Sequence, residues 1–205
     1  MKKQNIFFSY LKRKRKIFWI LLVFFLLGII SGIGLINLIA GTSKTQVSEY
    51  VLSLENHIKS EESINKNVVL MHSMKQNILF VSMICLLGCT FWGSFLVYLA
   101  IFYKGFSIGF TISAILATLG VQKGCLFSVN SLLCQNLIFL PMMFILAENS
   151  VSLYHNLKND GMRGEKKEVI RYVILFVISL VIAVISSFFE TYISMNFLKF
   201  FKNFL

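Results

Sequence analysis

Residues 17–40 read IFWILLVFFLLGIISGIGLINLIA, and residues 2–16 before them read KKQNIFFSYLKRKRK. The first stretch carries no charge over a length that, as a helix, spans the roughly 30 Å hydrocarbon core of a bilayer. It is longer than the apolar core of a signal peptide, which runs to about 7–15 residues. Leu38 also stands where a cleavage site would need a small side chain. Residues 17–40 therefore read as a retained first transmembrane helix. The leader, residues 1–16, holds Lys2, Lys3, Lys12, Arg13, Lys14, Arg15 and Lys16 and no acid, the mark of a segment kept on the cytoplasmic side.

The rest of the chain has the same character. Of its 205 residues 57% are apolar and 14% charged, with 21 Phe and a single Pro. A soluble domain carries about 25% charged residues, so this chain needs lipid as a solvent for its surface. The net charge of +11 would suit nucleic acid. The basic residues sit in the leader and at junctions between apolar stretches, however, so membrane topology accounts for them and no nucleic-acid partner is expected.

Moving outward from the first span, residues 41–77 form the one long polar segment, with four basic and four acidic residues. Within it Val47, Tyr50, Val51, Leu54 and Ile58 recur at helical spacing. They predict an amphipathic extracytoplasmic helix, with Ser43 or Thr45 as its N-cap. Its apolar stripe suits either a docked partner or the outer membrane surface.

Residues 78–193 read as a bundle of four further spans, at 78–102, 106–121, 125–147 and 169–193. Tight turns are expected at Tyr103-Lys104-Gly105 and Gln122-Lys123-Gly124, with a cytoplasmic loop at 148–168 and an amphipathic tail at 194–205. The fold class is an all-α polytopic transmembrane bundle of about five spans. On these boundaries thirteen Lys and Arg lie on the side of the leader and seven on the other. The positive-inside rule then places the N-terminus in the cytoplasm, and the 41–77 segment and the C-terminus outside.

Candidate chemistry is sparse. Gly28 and Gly32, and again Gly105 and Gly109, stand four apart, a spacing that lets helices approach closely in lipid. The fourth span carries Asn130, Ser131, Gln135 and Asn136, then Pro141, which frees the carbonyl of Leu137 and favours a kink. Those amides serve as glue between helices or line a polar passage, and glue is the commoner use. Cys85, Cys89, Cys125 and Cys134 lie in apolar stretches and read as small packing residues. His57, His72 and His155 are scattered, so no metal is expected. No nucleophile elbow, phosphate loop or carboxylate pair is present, so the chain reads as no enzyme, with no cofactor and no small-molecule substrate. On these boundaries no span has an ionisable residue at its centre, which counts against an ion pump.

Two motifs carry a resemblance. Tyr103-Lys104-Gly105-Phe106-Ser107-Ile108-Gly109 resembles the Asn-Gly-x-x-x-Gly motif of the stage II sporulation protein M family, with Lys104 where Asn is usual. Gln135-Asn136-Leu137-Ile138-Phe139-Leu140-Pro141 resembles that family's polar-then-proline motif in its fourth span. The order of leader, span, outside loop and close-set spans is similar too. The resemblance implies a membrane protein of endospore formers without catalysis of its own. It also implies work with peptidoglycan-degrading partners resembling stage II sporulation proteins D and P, at the mother-cell septal or engulfing membrane. The implied role is a scaffold for septal-wall thinning and membrane migration during engulfment. The alternative is the permease subunit of an ATP-driven transporter. An enzyme of lipid metabolism ranks last, for want of a catalytic set.

Overall fold

The computed structural model describes residues 2–38, 49, 66–88, 90, 92–128, 134–160 and 165–201, with side chains chiefly within 15–36, 67–88, 92–125, 136–153 and 169–192. Among them the regular structure is all helical: α1 Lys2–Leu38, α2 Lys66–Gly88, α3 Gly93–Leu119, α4 Val121–Ser128, α5 Cys134–Asp160 and α6 Glu165–Phe201. Four of these hold segments long and apolar enough to cross a membrane: Arg15–Ile36, Asn67–Gly88, Gly93–Leu119 and Val169–Tyr192. A shorter apolar stretch, Ile138–Leu153, lies in α5. The chain is a helical membrane bundle.

Contacts set the helix directions. Gly28 of α1 lies against Phe102 and Phe106 of α3, and Gly32 against Phe106 and Phe110, so α1 and α3 run parallel. Ser73 and Asn77 of α2 meet Glu190 and Ser187 of α6 in reverse order, so that pair is antiparallel. Phe139 of α5 packs on Phe80 of α2 and Ser150 lies beside Gly88, so α5 follows the direction of α2. Helices α1, α3 and α6 thus point one way, and α2 and α5 the other. The core between them holds Leu21, Ile84, Ile101, Phe139, Leu146 and Ala183, drawn from all five long helices. Val173, Val177, Val181 and Ile185 of α6 and Trp19, Val23, Leu26 and Ile30 of α1 stay exposed. These are the faces that lipid covers in a membrane.

Four segments differ from the sequence reading. Helix α3 runs unbroken through Tyr103-Lys104-Gly105, where a turn is expected from the charge. The reversal lies earlier, between Gly88 and Gly93. There the Thr90 hydroxyl donates to the Leu87 carbonyl at 2.8 Å, and the Gly93 amide donates to the Thr90 carbonyl at 2.9 Å. A side chain at position 93 would collide with the Leu87 carbonyl, so glycine permits the turn. Second, α2 starts at Lys66, so the polar segment before it ends sooner than residue 77. Ser73 and Asn77, polar in sequence, are buried against α6. Third, α5 continues to Asp160, so residues 148–160 are helical. Fourth, the turn expected at Gln122-Lys123-Gly124 is displaced: these residues lie within the short α4, which folds back on α3 through Gly120, whose φ of 80° suits glycine, and Gly124 seats on Leu116.

Candidate functional site

The glycines of α1 and α3 face each other. A Cβ at Gly28 or Gly32 would land on the carbonyl oxygen of Phe102 or Phe106, and one at Gly105 or Gly109 on that of Phe25 or Ile29. The two backbones therefore touch along two turns. Close packing of this kind supplies the van der Waals attraction that holds helices together in lipid, where no hydrophobic force acts between them. Phe144 of α5 closes the side of this pair, edge-on to Phe25 at 5.4 Å and tilted against Phe18 at 5.7 Å between ring centroids.

The remaining helices are joined by polar side chains. At one level the Tyr172 hydroxyl of α6 donates to the Cys85 carbonyl of α2 at 3.1 Å and lies 2.7 Å from Ser150 Oγ of α5. These groups ring Gly88, where a Cβ would meet both Ser150 and Tyr172. At a second level, further along α2 toward its N-terminus, Asn77 Nδ2 donates to Ser187 Oγ at 3.0 Å. One turn beyond, the Ser73 hydroxyl donates to the Glu190 carboxylate.

Lys104 of α3 enters near this second level. Its Nζ lies 5.5 Å from the centroid of the Phe80 ring and 5.2 Å from that of Phe139, within the range of a cation–π contact. Glu190 is within Coulombic reach of Lys104 and of His72. Lys104 stands about 16 Å from Gly93, at about 1.5 Å rise per residue, which is close to half the hydrocarbon thickness. Charged groups at that depth are rare, costly and usually functional. The expectation that no span carries a central ionisable group is thus corrected, because the true third span is centred near Lys104.

The other sequence candidates fall as follows. Asn136 is buried in α5, Gln135 belongs to the same helix, and Pro141 stands inside α5 with its ring exposed. Val47, Tyr50, Val51, Leu54 and Ile58 lie outside the described residues, as do Asn130 and Ser131. Sequence reasoning passed over Lys104, Ser73, Asn77 and Ser187. A signal was available: a third span of 106–121 is too short to cross a membrane, whereas Gly93–Leu119 is long enough. Among the described residues no three His, Cys, Asp or Glu side chains gather as a metal site.

The helices and this polar seam define a multi-pass membrane protein. The family model for stage II sporulation protein M matches residues 21–195, from the first span to the end of the last, and the chain belongs to that family. It is therefore a sporulation membrane protein. No curated protein and no solved structure matches it.

Proposed function

We propose that this chain is a non-catalytic membrane scaffold that gathers peptidoglycan-degrading enzymes at the septal and engulfing membrane of a sporulating mother cell. The observation that carries the reading is the family match across the whole bundle. The bundle also has the physical form of an anchor. Helices α1 and α3 touch backbone to backbone, and side-chain hydrogen bonds tie α2, α5 and α6.

The leader, the Gly88–Gly93 turn and the α5–α6 connection share one end of the bundle. That end carries twelve Lys and Arg against seven at the other, with Lys104 between them. The moved boundaries therefore keep the same orientation: N-terminus in the cytoplasm, the segment between α1 and α2 outside. That outside segment is where wall enzymes resembling stage II sporulation proteins D and P would dock. A few large apolar residues carry most of an interface's energy. The double substitution Tyr50→Ser, Leu54→Ser should then abolish recovery of wall hydrolases with the chain after gentle detergent extraction, at unchanged chain abundance. Unchanged recovery removes the 47–58 stripe as the docking site.

The permease reading gains one observation, Lys104 and Glu190 within Coulombic reach of each other in the bundle, since charged groups there mark substrate and ion pathways. It expects Lys104→Met to abolish uptake of a solute while hydrolase recovery persists.

A further inference from the structure

Glu190 and its neighbours bring several oxygen atoms to the α2–α6 seam. Ser73 and Asn77 are four apart on α2 and share a face, and Ser187 and Glu190 are three apart on the facing side of α6. The Asn77 amide is held by its nitrogen, which donates to Ser187 Oγ. The Ser187 proton is engaged with the Ala183 carbonyl at 2.9 Å. That leaves Asn77 Oδ1 buried with no hydrogen-bond donor, on a residue only 1% exposed. An amide oxygen in that state costs free energy until a donor or a cation meets it.

The seam thus offers one carboxylate, one unmet carboxamide oxygen and two hydroxyls, the set that hard cations prefer. Glu190 supplies one negative charge, and Lys104 already stands within Coulombic reach as one positive charge. Exchange at equal charge admits a monovalent ion and disfavours a divalent one. The helices are close enough for direct side-chain hydrogen bonds, which favours a small ion.

We propose that the α2–α6 seam binds a sodium-sized monovalent cation through the Glu190 carboxylate, Asn77 Oδ1 and the hydroxyls of Ser73 and Ser187, with Lys104 as the competing countercharge. The site runs from Asn77, near the middle of Asn67–Gly88, toward the end of the bundle away from the leader, where Glu190 lies two residues from the end of Val169–Tyr192. It stands whether the protein is a scaffold held rigid by the ion or a permease driven by it.

The test is thermal unfolding of the purified full chain in detergent, in sodium, potassium and choline chloride at one ionic strength and pH. Sodium should raise the midpoint in a saturable way, because an ion that binds only the folded state stabilises it. Glu190→Gln and Asn77→Leu should each erase the difference between salts. Lys104→Met should keep it and lower the half-saturating sodium concentration, on the order of tenfold, by removing a repelling and competing charge. Equal midpoints in the three salts would overturn the proposal, and would mean that water is the donor to Asn77. A sodium effect that survives both Glu190→Gln and Asn77→Leu would overturn it as well. Should those variants not fold, radiolabelled sodium on the unaltered chain and on Lys104→Met decides. Saturable binding displaced by lithium and tightened in Lys104→Met supports the site, and no saturable binding refutes it.

Discussion

At the scale of single residues, the glycines of α1 and α3 do most to set the packing. Gly105 and Gly109 leave no room for a methyl group, since each position faces a carbonyl oxygen of α1. Gly34, on the same helix as Gly28 and Gly32, has nothing within 4 Å of where a Cβ would stand. The two kinds of position should respond in opposite ways. Gly105→Ala must force α1 and α3 apart and should cost about 1–3 kcal/mol, in the range of overpacked cores. Gly34→Ala should be neutral, or stabilising by up to about 1 kcal/mol through helix propensity. Unfolding midpoints of the two variants in one detergent check the contrast, and equal shifts would mean that the glycines do not govern the contact. Tyr172 is a second such residue. Its hydroxyl reaches both Cys85 O and Ser150, so Tyr172→Phe should destabilise by about 1–2 kcal/mol.

At the scale of elements, the informative helix is α3. Its sequence contains a lysine flanked by tyrosine and glycine, which reads as a junction, yet the helix passes through it. Lys104 remains inside because Phe80 and Phe139 offer ring faces and Glu190 a countercharge. All three lie far away in sequence. In a cysteine-free background, Tyr103→Cys should therefore resist an impermeant maleimide from both sides of the membrane, and Thr90→Cys should react from the side of the leader. Labelling at position 103 and protection at position 90 would restore the turn at Tyr103-Lys104-Gly105. The same comparison shows how far the sequence could be read. Long apolar stretches such as 17–40 and 169–193 announce spans through composition alone, and helices lie there. The middle of the chain misleads because the polar residues of α2, Ser73 and Asn77, look like loop until their partners on α6 are known. The paired glycines were legible as packing residues, but that each pair would choose the other was not, because spacing names no partner.

At the scale of the whole molecule, the shifted boundaries leave the number of turns between leader and tail unchanged, so the proposed orientation is the same on either set of boundaries. Ser43→Cys, in the segment between α1 and α2, should label from outside intact cells, whereas protection there would invert the bundle. The anchor is built from two differently bonded parts. Helices α1 and α3 join through backbone contact, and α2, α5 and α6 join through hydroxyls, amides and a carboxylate. In the proposed scaffold role, the chemistry of wall thinning falls to partners on the outside face. The most direct test of that scaffold role is the position of fluorescently tagged wall hydrolases in sporulating cells that lack this chain. The account predicts that the enzymes are made in normal amounts but spread around the membrane, and that engulfment stalls at a flat septum. Hydrolases still gathered at the septum, with engulfment proceeding, would contradict it.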